Sequence, residues 1–318
     1  MSLYDTDFEY ISTRIVQSLK RDGFMILNNV NQFNSTELYQ IVTRFFYLSK
    51  NDKNKYLKCG WNSNNSNCYR GYYPIIPGQS SYKEAIEYGR HINKTVIINN
   101  ASYIVSSLNE YPIYPDITVD EQKWELIFNK YYELFHDLSI KILDAINYGL
   151  HTNSSNTSTK TFSEMFKPNP LSTFRLIHSP PHPQYSGIDK EEYNLTSTPD
   201  HVDSGFITFV VPFQRGLEIY DINKQKWLKL SETHNVMYVN IGALLRKLTN
   251  TTLKATRHRV INYNESRYST AFFAEPDYNA IINTDNKPLT YGPWVEKSIK
   301  KFIEYSGKPM GSCYYINN

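Results

Sequence analysis

Residues 201–211 read HVDSGFITFVV. The run from Gly205 to Val211 is rich in β-branched and aromatic residues, which is typical of a buried strand. His201 and Asp203 stand two positions apart at the start of that strand, where side chains at i and i+2 point to the same side. We therefore expect a strand that presents an imidazole and a carboxylate together at one end.

Short strands of the same kind continue on both sides of this stretch. Runs of β-branched and aromatic residues with Gly or Pro between them predict strands at 172–178, 205–211, 217–220, 227–230, 236–241, 254–262 and 268–274. Such a density of short strands favours a sandwich or a jelly roll.

The N-terminal half instead has the period of amphipathic helices. Apolar residues at three-to-four spacing predict helices at 8–20, 35–48 and 121–149, with a short buried strand at 24–27. Ser35 is expected to open the second helix, and Gly149 is expected to end the third.

The predicted fold class is therefore α+β, in three parts. Residues 1–165 form a helical and mixed region, and residues 166–280 form a jelly-roll core, also called a double-stranded β-helix. Residues 281–318 form a C-terminal extension that packs on the barrel.

The composition predicts a packed globular protein inside the cell. The chain has 318 residues, of which 40% are hydrophobic and 20% charged, so extended disorder is excluded. A net charge of +3, from 34 basic and 31 acidic side chains, is too small to attract nucleic acid by itself. A secretory signal pattern and an apolar run of about 18 residues are both lacking. We expect a cytoplasmic monomer that binds neither nucleic acid nor membranes.

The cysteines are sparse. Cys59, Cys68 and Cys313 are too few for a disulfide framework, and the spacing of the first two does not match a zinc knuckle. They are expected to be ordinary thiols.

A third candidate metal ligand lies in another predicted strand. His258 comes 57 residues after His201, within the segment KATRHRVINY. Two imidazoles and one carboxylate on one face of an ion leave the opposite face open, the arrangement associated with non-haem Fe(II) oxygenases. The His-x-Asp tripeptide alone is weak evidence, because such tripeptides arise by chance.

The remaining histidines carry no comparable signal. His178 and His182 are separated by Ser-Pro-Pro, which prevents the helix that would place them on one face. The others lack a ligand-type neighbour at a useful spacing; they are His91, His136, His151 and His234.

A second signal lies nine residues after His258. Arg267 and Ser269 form another i, i+2 pair on a predicted strand, so a guanidinium and a hydroxyl point to the same side. A buried arginine needs an anion, and a dicarboxylate cosubstrate offers it a charge-assisted contact. A salt bridge at the barrel surface is the alternative for Arg267.

With these residues in this order, the chain resembles the isopenicillin N synthase-like family of Fe(II)/2-oxoglutarate-dependent oxygenases. The resemblance also covers RGYYPIIPG and KEAIEYG within residues 70–90, STFRLIHSPP, VNIGALLRKLTN and PLTYGPWVEKSI. It implies that His201, Asp203 and His258 bind Fe(II), and that Arg267 and Ser269 hold the distal carboxylate of 2-oxoglutarate. O2 is the other cosubstrate that the resemblance implies.

The chain departs from the family pattern at three positions. Ser179 stands where many 2-oxoglutarate users have a tyrosine that contacts the cosubstrate, and Ala243 stands where an aspartate commonly follows the glycine. Arg70 is offset from the arginine of isopenicillin N synthase, so that enzyme's peptide substrate is not inherited.

The function implied is oxidation of a C–H bond, by default hydroxylation, in a small molecule or peptide, with release of succinate and CO2. Ser179 leaves open an Fe(II) oxidase that uses O2 without 2-oxoglutarate. A non-catalytic binding protein on the same fold is the third alternative. The candidate substrate residues, for which core packing is an equal alternative, are Arg70, Tyr72, Tyr73, Phe206 and Phe273.

Overall fold

Two antiparallel sheets that face each other form the centre of the computed structural model. It describes residues 8–67, 69–76, 81–90, 97–98, 101–102, 110, 112–151, 161–167, 169–183, 195–284 and 287–299. The helices are α1 (Phe8–Asp22), α2 (Ser35–Phe46), α3 (Lys50–Asn54), α4 (Trp124–His151), α5 (Phe162–Phe166), α6 (Ala243–Leu248) and α7 (Tyr291–Ile299).

The strands of the two central sheets are β1 (Phe24–Asn28), β2 (Gly71–Tyr73), β3 (Glu84–Tyr88), β8 (Thr173–Ser179), β9 (Thr196–His201), β10 (Ile207–Pro212), β11 (Leu217–Asp221), β12 (Lys226–Lys229), β13 (Val236–Ile241), β14 (His258–Ile261) and β15 (Arg267–Ala274). Three hairpins lie outside these sheets and are formed by β4 (Ile97–Ile98) with β5 (Ala101–Ser102), β6 (Thr118–Val119) with β7 (Gln122–Lys123), and β16 (Ile281–Thr284) with β17 (Lys287–Thr290).

The larger sheet has seven strands in the order β1-β13-β10-β15-β8-β3-β2, and the smaller has four in the order β12-β11-β14-β9. Val210 and Tyr238 of the larger sheet pack on Leu217 and Val260 of the smaller one. This pair of sheets, with helices on one side, confirms the predicted α+β jelly roll.

The larger sheet has two different faces. Its outer face packs on helix α4, where Phe135 contacts Phe174, Phe209 and Phe272 in a fully buried cluster. Because side chains alternate along a strand, the neighbours of Phe272 point instead toward the smaller sheet. This inner face carries the residues described below.

Part of the larger sheet comes from the N-terminal half. β1 pairs with β13, and the β2–β3 hairpin extends the sheet beyond β8. Residues on both sides of position 165 therefore build one sheet. The three-part division at 165 and 280 stays a prediction.

The expected end of the third helix at Gly149 is wrong. Helix α4 passes through Gly149 and continues to His151. A Cβ at Gly149 would lie 2.7 Å from the Ser12 oxygen and 2.8 Å from Val16 Cγ2, so this glycine permits close packing of α4 on α1. Helix α2 begins at Ser35 as expected, and the Asn34 side chain caps it by accepting hydrogen bonds from the Thr36 and Glu37 backbone amides.

The expectation of ordinary thiols is wrong for Cys59, which is disulfide-bonded. The other two cysteines, Cys68 and Cys313, lie outside the described residues. Among the described helices, none is long and apolar enough to cross a membrane.

Candidate metal and cosubstrate site

Three potential metal ligands converge between the two sheets. His201 ends β9 and His258 begins β14, and the two residues are direct partners in the antiparallel register. Asp203 follows two residues after His201, in the connection to β10. The ligand atoms of the three side chains all lie within 4.8 Å of one another. The expected convergence of two imidazoles and a carboxylate is present in the structure.

The two imidazoles are oriented by backbone carbonyl groups. His201 Nδ1 lies 2.8 Å from the Pro199 oxygen, and His258 Nδ1 lies 3.1 Å from the Thr256 oxygen. A carbonyl can only accept, so each Nδ1 carries a proton, and in the neutral form of each ring Nε2 is the nitrogen with the lone pair. These Nε2 atoms lie 3.5 Å and 3.7 Å from the Asp203 carboxylate oxygens. Hydrogen bonds of this kind fix the ring orientation of histidines that bind metals.

The charge state of this group also suits a metal ion. Burial raises the pKa of Asp203, but His258, His201 and the Thr208 hydroxyl together lower it further, well below its usual range. Burial and the neighbouring His201 lower the pKa of His258. At neutral pH the site therefore offers a carboxylate and a neutral imidazole, the forms that bind metal.

One atom of the site lacks a partner. Asp203 Oδ2 is buried and makes no hydrogen bond to any described residue. A buried carboxylate oxygen without a partner is costly. A divalent cation held between Asp203, His201 and His258 would satisfy it, so these residues fit Fe(II).

The predicted cosubstrate pair lies on the inner face of β15. Arg267 Nη1 donates to Ser269 Oγ at 2.9 Å, and Arg267 Nε donates to the Arg215 oxygen at 3.0 Å. Arg267 Nη2 is buried and makes no hydrogen bond within the described part of the chain. Burial lowers the pKa of Arg267 to about 10, so the guanidinium is still charged at neutral pH. An unused charged donor beside a hydroxyl fits a carboxylate ligand.

Ser179 lies next to this pair. It is the cross-strand partner of Arg267. One small concavity is lined by Ser179, Arg267, Ser197 and Asn262. A tyrosine at position 179 would fill part of this space, whereas the serine hydroxyl leaves it open.

The five candidate substrate residues separate into two groups. Tyr73 and Phe273 lie on the inner face of the larger sheet, as the strand registers require. Tyr72 and Phe206 lie in the large apolar core on the helical side. Arg70 is buried and donates to the Leu171 and Ser172 carbonyl oxygens and to Thr173 Oγ1, so it anchors the start of β8.

Sequence reasoning did not single out two further inner-face residues. The Thr208 hydroxyl helps to lower the pKa of Asp203, and Arg175 lies on β8 between inward-facing Thr173 and Ile177. Counting back from Ser179 in steps of two would have placed Arg175 on the inner face.

Comparison with known proteins agrees with this geometry. Residues 170–276 match the 2OG-Fe(II) oxygenase superfamily. The match covers about a third of the 318 residues and shows that this part of the chain is similar to that superfamily. The matched range begins before β8 and ends after β15, so it includes His201, Asp203, His258, Arg267 and Ser269.

Individual relatives are distant. The 2-oxoglutarate-Fe(II) type oxidoreductase hxnY of Emericella nidulans is 27% identical over 195 residues, which cover 60% of this chain and 53% of the relative. The chain thus spans about half the length of that relative and of others at a similar level. Isopenicillin N synthase of Streptomyces clavuligerus is 21% identical over 94% of this chain and 91% of its own length.

A solved structure confirms the fold. A 2OG-Fe(II) oxygenase family protein from Caulobacter crescentus superposes with a TM-score of 0.72 at 23% identity, covering 95% of this chain and 97% of that one.

Proposed function

We propose that this chain is a non-haem Fe(II)- and 2-oxoglutarate-dependent dioxygenase that oxidises a C–H bond of a small molecule or peptide. The observation that carries the proposal is the convergence of His201, Asp203 and His258 within 4.8 Å. The similarity of residues 170–276 to the 2OG-Fe(II) oxygenase superfamily supports it.

Each residue has a distinct part in this proposal. His201, Asp203 and His258 hold the iron on one face, with the Pro199 and Thr256 carbonyl groups fixing the two rings. Arg267 and Ser269 receive the far carboxylate of 2-oxoglutarate. When bound, iron and 2-oxoglutarate supply O2 activation coupled to release of succinate and CO2. The two sheets orient the substrate and exclude bulk water.

The test compares two aspartate variants. The protein is loaded anaerobically with Fe(II) and 2-oxoglutarate, O2 is added, and succinate is measured with and without amino acids and short peptides. Asp203→Ala should abolish succinate formation. Asp200→Ala is the matched control, because Asp200 is a partly exposed carboxylate that pairs with Arg257 at the surface. Full succinate formation by Asp203→Ala, or none by the unmodified protein under any condition, would remove the proposal.

A second candidate function is an Fe(II) oxidase that uses O2 without 2-oxoglutarate. Ser179 favours it, because the side chain opposite Arg267 is too short to reach a cosubstrate as a tyrosine would. Substrate oxidation with O2 uptake but without succinate would establish this alternative.

We further propose that the protein is a cytoplasmic monomer that does not bind nucleic acid. The small net charge of +3 supports the last point. The disulfide at Cys59 argues against a cytoplasmic location, because disulfides are uncommon in the cytosol. The oxidation state of Cys59 in cells, measured by alkylation and mass spectrometry, is therefore the sharpest test of location. A predominantly oxidised Cys59 in intact cells would contradict it.

A further inference from the structure

The inner face of the larger sheet is not sealed. Phe174, Leu176 and Phe272 of the outer face are 0% exposed, whereas the inward-facing Arg175 and Phe273 of the same strands are partly exposed. The His201 side chain nearby is 24% exposed. Partial exposure on the inside of a barrel means that an accessible space lies between the sheets. Arg175 and Phe273 line this space.

Arg175 is held in one orientation within it. Its Nε donates to Glu87 Oε1 at 2.6 Å, and its guanidinium carbon lies 4.8 Å from the centre of the Phe273 ring. The guanidinium is therefore fixed by a carboxylate on one edge and by an aromatic ring against one face. A fixed guanidinium loses little conformational freedom when it binds a ligand.

Glu87 pairs with Lys58 as well as with Arg175. The other Glu87 oxygen accepts from Lys58 Nζ at 2.5 Å, and both Glu87 and Lys58 are almost fully buried. One carboxylate thus serves two cations in this three-residue cluster. Arg175 is the member that reaches the accessible space, because its side chain is 14% exposed while Glu87 is 0% exposed.

Two further charged groups lie close to this cluster. Glu275 and Arg175 interact electrostatically. Burial raises the pKa of Glu275 to about 7, and the largest opposing effect on that pKa comes from the positive charge of Arg70. At neutral pH Glu275 is therefore only partly ionised, and it interacts more strongly with Arg70 than with Arg175.

Arg175 lies at a suitable distance from the metal ligands. The Thr208 hydroxyl is close enough to Asp203 to lower its pKa. Thr208 is also the cross-strand partner of Phe273, against which Arg175 stacks. From β10 to β8 there are two strand spacings, about 10 Å in total. A small molecule can therefore touch Arg175 with one end and reach the metal ligands with the other.

We propose that Arg175 binds a carboxylate group of the substrate, which makes the substrate a small organic acid with its carbon skeleton against Phe273. This inference rests on the proposed function and narrows its substrate class. Arg175 determines specificity, and Glu87 and Lys58 position it.

The experiment measures binding of acids against matched neutral amides. Protein loaded anaerobically with Fe(II) and 2-oxoglutarate is titrated calorimetrically with benzoate, phenylacetate, 3-phenylpropionate and octanoate, and with the primary amide of each. A charge-assisted contact predicts that at least one acid binds about tenfold or more tightly than its amide. Arg175→Gln should reduce this preference to less than about threefold, and Arg175→Lys should restore part of it.

Arg90→Gln is the matched control, because Arg90 pairs with Glu133 through the same two nitrogens but at the surface of α4. Thermal unfolding shows whether each variant is folded, and Arg175→Lys keeps the test decisive if Arg175→Gln does not fold. Equal binding of acids and amides, binding of no acid at about 10 mM, or an unchanged preference in Arg175→Gln would overturn the inference. The proposed function is tested separately by measuring the absorbance of the Fe(II)–2-oxoglutarate complex of the wild-type protein with no acid added.

Discussion

His201 and His258 are direct partners across the antiparallel strands β9 and β14, with ring centroids 4.2 Å apart. A direct cross-strand pair brings residues that are 57 positions apart in sequence onto the same side of the sheet. Asp203, the third potential ligand, lies in the same segment as His201, two residues further along the chain. The smaller sheet therefore builds most of the metal site, and the larger sheet contributes the cosubstrate pair.

The pairing predicts the effect of removing one imidazole. His258→Gln should weaken Fe(II) binding by at least about tenfold, because it removes one of three ligands. His234→Gln, at an exposed position, should leave Fe(II) binding unchanged. Anaerobic titration with Fe(II) measures both variants. Equal Fe(II) affinity in the two variants would contradict the assignment of His258.

Arg267 should control affinity for 2-oxoglutarate. Its buried Nη2 makes no hydrogen bond within the described residues and is available to a carboxylate. Loss of a charge-assisted hydrogen bond predicts that Arg267→Gln weakens 2-oxoglutarate binding by about tenfold or more. Ser269→Ala should have a smaller effect. Absorbance of the Fe(II)–2-oxoglutarate complex measures the affinities, and an unchanged Arg267→Gln would show that the cosubstrate binds elsewhere.

Glu87 should stabilise the fold in a pH-dependent way. Burial raises the pKa of Glu87, but Arg175 and Lys58 lower it to about 2, below that of an unfolded chain. Its contribution to stability is therefore complete above about pH 4.5 and is lost as the pH falls toward 2. Glu87→Gln leaves the buried Lys58 and the partly exposed Arg175 without their carboxylate, so the free energy of unfolding of this variant at pH 7 should fall by about 3–5 kcal/mol.

Urea denaturation at pH 7 and pH 3 measures this difference. Glu133→Gln removes the carboxylate of a partly exposed pair and should cost less than about 1 kcal/mol at either pH. A difference between Glu87→Gln and the unmodified protein that grows as the pH falls would contradict the stated sign.

Gly149 should resist substitution although it lies inside a helix. Alanine is normally favoured over glycine there by about 1 kcal/mol. A Cβ at this position would meet the Ser12 oxygen at 2.7 Å, so Gly149→Ala should instead lower the free energy of unfolding by about 1–3 kcal/mol. Gly60→Ala is the control, because nothing lies within 4 Å of its added Cβ. Increased stability of Gly149→Ala would show that α1 and α4 are less tightly packed.

Arg267 and Ser269 follow strand alternation on β15, so their i, i+2 spacing predicted their common face without knowledge of distant contacts. The expectation that His201 and Asp203 stand together at the start of one strand is wrong, because His201 ends β9 and Asp203 lies in the connection to β10. The seven predicted strands are all present, although His258 begins its strand and does not lie in its middle. The short strand and the amphipathic helices of the N-terminal half could be predicted because their apolar residues also follow a local pattern.

Other features could not be obtained in this way. β9 (Thr196–His201) contains Pro199 and Asp200 and lacks the apolar alternation of a half-buried strand, and β2 has only three residues. The orientation of Arg175 depends on Glu87 and Phe273 from two other strands. The helix packing that requires Gly149 likewise depends on α1. Such tertiary contacts override local signals.

The most direct test of the central claim is to locate a metal ion in crystals. Crystals grown or soaked with Mn(II), a redox-stable substitute for Fe(II), would be measured for anomalous scattering. We expect one strong peak within about 2.0–2.3 Å of His201 Nε2, His258 Nε2 and an Asp203 oxygen, with at least two coordination positions open to the space beside Arg175. A peak elsewhere, or an ion fully enclosed by protein ligands, would contradict the account.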